Sequence, residues 1–283
     1  MNKLGENICS IAKRMVSPNR GVLTGFKDLD SMTLGFKKGE FVIIAGRPSM
    51  GKTSLLLQIV SQVVIPPVLV VSAEMSEQLV GERLISQISG VGMHQIKGKR
   101  TNLADKNKAK DAVTKIRNSS IYVLDEGYIT TAKIRTAINE VKPSAVFIDY
   151  LQLLYVPDAY GSGEREVSLI SRELKSISIE CDVPIVCACQ LNRETERREN
   201  HAPKMSDLRG SGSIEQDADL ILMLHRPAYY RIMDEDPDMA DDGEALLYLS
   251  KNRNGPVGKL NYRWNKYCMS FQEVSSRYKE FGE

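Results

Sequence analysis

Charge excess, paired cysteine and unbroken apolar runs are all scarce in this chain, and each scarcity removes a class of protein. Lys and Arg total 38 against 36 Asp and Glu, a formal net charge of +2 over 283 residues. A chain so balanced has no polycationic coat, so any contact with a polyanion must come from a local cluster. The five cysteines, Cys9, Cys181, Cys187, Cys189 and Cys268, are odd in number and scattered, which argues against a disulfide framework and for a reducing compartment. The three histidines, His94, His201 and His225, match no metal-ligand spacing. Repeats and low-complexity segments are missing too, and the 42% of hydrophobic residues suffices for a core and is too high for a disordered tail. The longest stretch without charge, Thr53 to Ala73, is about as long as a membrane span. Gln58, Ser61 and Gln62 interrupt it, and Pro66-Pro67 would break a helix there. A helix, a tight turn and a buried strand are expected instead. The opening MNKLGENICSIAKRM is too polar for a signal peptide. These features predict a soluble cytoplasmic protein with no membrane partner.

What is present is strand–helix alternation. Residues 1–20 form a separate segment in which Leu4, Ile8, Ile11 and Met15 share one helical face, followed by the break Ser17-Pro18-Asn19. The remainder, 21–283, reads as one domain. FVIIA (41–45), VLVV (68–71), IYVL (121–124), AVFI (145–148), PIVCA (184–188) and LILML (220–224) read as buried strands. Helical patterns over 55–63, 80–88, 132–141 and 167–180 lie between several of them. Such alternation predicts an α/β fold with a mainly parallel, doubly wound sheet. Residues 245–250, 259–263 and 268–272 read as three short strands of an antiparallel C-terminal extension.

Gly46-Arg47-Pro48-Ser49-Met50-Gly51-Lys52-Thr53 fits G-x-x-x-x-G-K-[ST], and it follows a strand and opens a helix that continues with Ser54. In that context it is a phosphate-binding loop. Its backbone N–H groups and the helix N-terminus can cradle phosphates, Lys52 can reach the β- and γ-phosphates, and Thr53 can ligate Mg²⁺. Such a loop needs an acid at the end of a nearby strand, and Asp149 after AVFI supplies it. Glu74, after VLVVSA, has two readings: a base for the attacking water, or a helix-end carboxylate favoured by the macrodipole. Gln190 ends the strand PIVCACQ and is placed to sense a γ-phosphate. Cys187 and Cys189, one residue apart in a strand, read as core rather than metal ligands.

Two further stretches carry charge. Residues 193–209 hold Arg193, Arg197, Arg198, Lys204 and Arg209 among four acids, and Gly210-Ser211-Gly212-Ser213 follows as a small, flexible loop. Such a loop can approach a phosphodiester backbone and donate N–H groups without reading sequence, although a solvated surface loop would look the same. Lys251-Asn252-Arg253-Asn254-Gly255-Pro256 places two cations in a turn after a strand. They are either surface charges or an arginine finger for a neighbouring subunit's nucleotide.

The strings AGRPSMGKTS, SAEMS, VFIDYLQLL, REVSLISRELK, PIVCACQLNR, MSDLRGSGSIEQDADLIL and KNRNGPVG stand in this order and span about residues 20–272. With them the chain resembles the motor domain of the bacterial DnaB-type replicative DNA helicases, of the RecA-like ring group. The resemblance implies a RecA-like ATPase using ATP and Mg²⁺, assembled as a homo-oligomeric ring (a hexamer in the family). It would move 5′ to 3′ on single-stranded DNA in the cytoplasm of a bacterial or phage-infected cell, with a helicase loader or primase as further partners. By the same resemblance Glu74 is the base, Asp149 the magnesium acid and Gln190 the γ-phosphate sensor. Lys251 and Arg253 complete the neighbour's site, and Arg209, Gly210, Ser211 and Gly212 grip DNA. Gly210 stands where the family usually has glutamate, and only a short segment precedes the motor here, in place of the family's collar domain. A RecA/RadA-like recombination ATPase and an ATP-switched loader subunit share the core. The first would bring an N-terminal C-x-x-C pair, which is missing, and the intact Lys52, Glu74 and Asp149 set argues for turnover against the second.

Overall fold

The computed structural model describes residues 20–98, 101–156, 163–208, 211–234 and 241–274; the stripe at 4–15 lies outside them. Nine strands form one sheet in the order β3-β2-β4-β5-β1-β6-β7-β8-β9. They are β1 (Phe41–Gly46), β2 (Val68–Ser72), β3 (Ile121–Leu124), β4 (Ala145–Asp149), β5 (Ile185–Gln190), β6 (Leu220–His225), β7 (Glu244–Asn252), β8 (Gly258–Asn265) and β9 (Ser270–Glu273). The first six pair in parallel and the last three join antiparallel, as the sequence predicts. β1, β2, β4 and β6 are buried along their whole length, which is why they read as unbroken apolar runs: helices cover both faces.

The two faces divide residues at a period of two. Val42 and Ile44 enter one core together with Leu55, Leu56, Ile59, Val80 and Leu84, from α2 (Lys52–Gln62) and α3 (Glu77–Ser89). Phe41, Ile43 and Ala45 enter the other with Ile134, Ile138, Ile170 and Leu174, from α6 (Thr131–Val141) and α7 (Gly163–Glu180). The chain from β1 crosses toward β2 on one side, and the chain from β5 crosses toward β6 on the other. The carboxyl ends of β1 and its neighbours therefore form the crevice where doubly wound sheets bind ligands.

Some elements go beyond the sequence reading. α1 (Lys27–Thr33), α4 (Met93–Lys97), α5 (Leu103–Asn118), α8 (Ser211–Asp217) and α9 (Pro227–Asp234) are additional helices. α5 starts at Asn102, whose side chain accepts from the Asp105 amide at 2.8 Å, but fully buries Ala112 alone, so it shows no apolar stripe. Thr53–Ala73 divides into α2 and β2 as expected, and among the described residues no helix is long and apolar enough to cross a membrane. Two boundaries need correction. Lys251 and Asn252 are not in a turn: the ladder with β6 continues through Ile221↔Lys251 and Leu220↔Asn252, so only Arg253 to Gly255 turn. Cys268 precedes β9 rather than opening it. β9 is fastened to α2, because Gln58 Nε2 donates to Phe271 O at 2.8 Å and Phe271 N donates to Gln58 Oε1 at 2.7 Å.

Candidate active site

The loop between β1 and α2 has the shape its glycines allow. Gly51 has φ +98°, and a Cβ there would stand 2.9 Å from Phe271 Cζ; Ser49 also takes a left-handed φ, +64°. These two reversals fold Arg47-Pro48-Ser49-Met50 over the N-terminus of α2, with Met50 buried as its anchor. At Gly46 a Cβ would lie 3.1 Å from Leu224 O and 3.3 Å from Lys52 Cγ, so the close packing of β1, β6 and Lys52 needs glycine. Lys52 and Thr53 open α2, and Ser54 is buried behind them. The unpaired amides of that first turn face the crevice with the positive end of the helix dipole. Lys52 Nζ donates to Arg47 O at 3.0 Å. Burial lowers the Lys52 pKa, while Asp149, Cys189 and Glu74 pull it back up.

Thr53 Oγ1 donates to Asp149 Oδ2 at 2.8 Å. The two residues, 96 apart in sequence, are brought together because β4 ends beside β2 and β5, one strand from β1. Burial raises the Asp149 pKa; the Thr53 hydrogen bond opposes it, and Glu74 adds to the rise. One hydroxyl and one carboxylate side by side suit Mg²⁺, which keeps several waters and takes phosphate oxygens rather than an all-protein cage. Glu74 is exposed and follows β2 at the same crevice. The N-cap of α3 is Ser76 and its first-turn acid is Glu77, so the helix-end reading belongs to Glu77 and not to Glu74.

Gln190 closes β5 in register with Gly46. Gln152, unremarked in the sequence, brackets its backbone: Nε2 donates to Gln190 O at 3.1 Å and Oε1 accepts from Gln190 N at 3.2 Å. Both border a recess of about 370 Å³ shared with Arg47 and Tyr150. Cys187 and Cys189 lie in the second core as expected. Burial pushes the Cys189 thiol up to about 11, against the Gln152 hydrogen bond and Lys52. Arg226, directly after β6, is a second residue the sequence reading missed. It is buried, donates to Ser49 O at 3.2 Å and Asp241 Oδ2 at 3.1 Å, and sits 4.9 Å over the Trp264 ring. It braces the phosphate loop from behind. The available signal was its position, an arginine directly after the buried strand LILMLH.

Lys251 and Arg253 are at the other end of the sheet. Lys251 Nζ donates to Glu215 O, and burial lowers its pKa, with Arg253 adding to the fall. Arg253 donates to Asp219 Oδ1 at 3.2 Å and to Gln216 O. Asp219 Oδ2 accepts from Phe41 N at 2.8 Å, at the start of β1, and from Lys175 Nζ at 2.6 Å. The phosphate loop begins where β1 ends at Gly46, five residues on from Phe41, about 16–17 Å away at strand rise. The structure therefore does not bring Arg253 to the phosphate loop of its own chain.

Arg209 and Gly210 lie outside the described residues. Ser211 and Gly212, expected in a flexible loop, instead open the helix α8. The reason is tertiary packing. Ile214 is fully buried, Ser213 Oγ donates to Ser168 Oγ at 2.7 Å, and Ser171 Oγ donates to Asp217 Oδ2 at 2.8 Å, so α8 is laid along α7.

Comparison with known proteins agrees with this geometry. The family model described as DnaB-like helicase C terminal domain matches residues 21–273. The replicative DNA helicase DnaB of Buchnera aphidicola (subsp. Acyrthosiphon pisum) is 33% identical over 286 residues, covering 97% of this chain and 61% of that protein. The replicative DNA helicase DnaC of Bacillus subtilis (strain 168) is 35% identical over 275 residues, 93% of this chain and 58% of that one. Among solved structures, an isolated ATPase domain superposes with a TM-score of 0.90 at 33% identity, covering 97% of this chain and all of that one. The chain thus spans about three-fifths of the length of the curated relatives it matches.

Proposed function

The chain belongs to the DnaB-like helicase family, whose C-terminal domain it matches over residues 21–273, and we propose that it is an ATP-driven DNA helicase motor. The observation that carries this reading is the Thr53 Oγ1–Asp149 Oδ2 contact at 2.8 Å beside Lys52 at the mouth of the crevice. In the proposed mechanism the amides of residues 49–53 and Lys52 hold the β- and γ-phosphates, with Lys52 leaving Arg47 O to do so. Bound Mg²⁺ would neutralise charge on the phosphate oxygens from its seat at Thr53 and Asp149. Glu74 accepts the proton of the attacking water. Gln190, its backbone held by Gln152, contacts the γ-phosphate and so distinguishes ATP from ADP.

Arg253, with Lys251, acts on the nucleotide of the next subunit, a role that its distance from its own phosphate loop supports. A finger facing outward requires a heterologous, closed assembly, and the family reading makes it a hexameric ring around single-stranded DNA, moving 5′ to 3′. Arg209 to Gly212 contact the phosphodiester backbone, with Ser211 and Gly212 presented from a helix start rather than a loop. We further assign residues 1–20 to a clasp between subunits and 21–283 to the motor, working in a bacterial or phage-infected cytoplasm. A structural neighbour is a DnaB-like replicative helicase studied with primase, and primase or a loader are the partners we propose for this chain. The decisive experiment is strand displacement on a forked duplex with ATP. Unwinding that requires ATP is expected, whereas DNA-stimulated hydrolysis without displacement would favour the recombinase or loader alternatives.

A further inference from the structure

Between Gln190 and α8 the chain forms a closed piece whose attachment to the phosphate loop is specific. Its two ends meet in an antiparallel bridge, Leu191↔Leu208. Asn192 N donates to Asp207 O at 2.7 Å, and the Arg198 guanidinium forks onto both Asp207 oxygens, Nη1 to Oδ2 at 2.6 Å. Asp207 also accepts from Lys204 N at 2.7 Å, and Thr195 is buried beneath. The bidentate strut and the closed neck tie the loop to itself with strong, directional bonds. Its base is joined to β1 and the phosphate loop by Leu191 N→Gly46 O at 3.2 Å and Arg47 Nη1→Leu191 O at 2.7 Å. Its flank is joined by Glu196 alone among the described acids. Glu196 Oε1 accepts from Arg47 Nε at 2.9 Å and Arg47 Nη2 at 2.6 Å.

Arg47 is 7% exposed, and its three donations all go to this piece. Its carbonyl meanwhile holds Lys52. A phosphate that draws Lys52 into the loop would release that carbonyl, while the guanidinium of the same residue is joined to Glu196 and Leu191 O. A ligand shifts an equilibrium by its differential interaction with the two arrangements, and loss of the Lys52 bond at the backbone of Arg47, whose side chain holds the closed piece, is such a difference. The neck of the piece ends at Leu208, immediately before residues 209–212.

We propose that Glu196 is a positioning residue, and that the Arg47–Glu196 pair transmits the state of the phosphate loop through the closed piece 191–208 toward the start of α8, where Ser211 and Gly212 lie. This rests on the DNA role given to Ser211 and Gly212 above. Glu196 touches no phosphate in this scheme, so its removal leaves chemistry intact and uncouples it from DNA.

The test compares the wild-type chain with Glu196→Gln, Glu196→Ala and Glu196→Asp. Binding of a fluorescent oligo-dT is measured in the presence of ADP and of a non-hydrolysable ATP analogue, together with hydrolysis without DNA. Allosteric couplings of this kind run at about 5–150-fold. The wild-type ratio of the two affinities is expected in that range, collapsing toward unity in Glu196→Gln and Glu196→Ala and partly restored in Glu196→Asp, with DNA-free hydrolysis unchanged. A wild-type ratio retained in Glu196→Gln overturns the inference. So does parallel loss of DNA-free hydrolysis, which would make Glu196 a support of the phosphate loop itself. A wild-type chain that binds no oligo-dT in either state overturns the DNA reading and this inference with it.

Discussion

Replacing Arg253 with alanine separates a catalytic loss from a structural one by magnitude. Within its own chain Arg253 makes a partly exposed pair with Asp219 at 3.2 Å, the arginine side chain being 46% accessible, and a bond to Gln216 O. Exposed pairs of this kind contribute about 0–1 kcal/mol, so the folded domain should lose at most about 2–4 °C in melting temperature. An arginine finger contributes about 10³–10⁵ in rate, or roughly 4–7 kcal/mol of barrier. The two readings thus differ by several kcal/mol in hydrolysis at nearly constant stability. Hydrolysis is measured with single-stranded DNA present, first for the variant alone and then mixed with Lys52→Ala protein, itself inactive because its phosphate loop is disabled. In a ring with head-to-tail interfaces, equimolar random mixing places an intact loop against an intact finger at about a quarter of the interfaces. Activity should therefore return to a sizeable fraction of that share. Co-assembled mixtures that stay silent would refute the reasoning, as would an Arg253→Ala variant that hydrolyses ATP normally by itself.

The remaining predictions address other parts of the site. Glu74→Gln should bind nucleotide and lose turnover by about 10²–10⁴-fold, read from binding and hydrolysis side by side; near-normal hydrolysis would move the base elsewhere. Gly51→Ala, at φ +98° and against Phe271, should destabilise by about 1–3 kcal/mol and weaken nucleotide binding, which calorimetry with and without nucleotide will separate. His225 is buried, and burial, with His201 adding to it, lowers its pKa to about 4. The unfolded histidine takes its proton near pH 6.5 and the folded one only near 4, so this contribution is complete above 6.5 and is lost as pH falls toward 4. From about pH 7 to about pH 5 the wild type should lose about 2 kcal/mol more than His225→Phe in denaturant unfolding, and equal slopes would remove His225 as the cause. Arg209→Ala should weaken single-stranded DNA binding similarly for every sequence and make the salt dependence shallower by about one unit of slope; loss confined to one sequence would indicate base readout.

What the sequence revealed and what it hid follow from the range of the interactions. β1, β4 and β5 were legible because each is an unbroken apolar run, and the phosphate loop, Asp149 and Gln190 were legible because each directly follows or ends one. Gln152, Arg226 and Glu196 were not, since each acts on a backbone or side chain fixed by the fold. Arg226 reaches Ser49 across 177 residues and Glu196 reaches Arg47 across 149, and no local pattern records such pairs. Ser211 and Gly212 were read from composition as a loop, and burial of Ile214 against α7 overrode it. The trans role of Lys251 and Arg253 could be proposed from the motif, but only the sheet shows that they and their own phosphate loop occupy opposite ends of β1.

The central placement of β1 has a consequence for the birth of the protein. β1 is made before both of its parallel partners, Ile185–Gln190 and Leu220–His225, which are encoded far downstream of it. The nearer of them emerges about 140 residues later, some 7–30 s at roughly ribosomal speed. Throughout that interval FVIIAG is an apolar strand with two unpaired edges, a state that invites mispairing and attracts chaperones. Pairings so distant also make for slow folding once the chain is complete. A ribosome-bound chain ending before residue 185 would carry every residue of the phosphate loop but neither of the strands that flank β1. Nucleotide cannot template the folding of the first half, and a genetic truncation there should yield an aggregating fragment rather than a weak ATP binder.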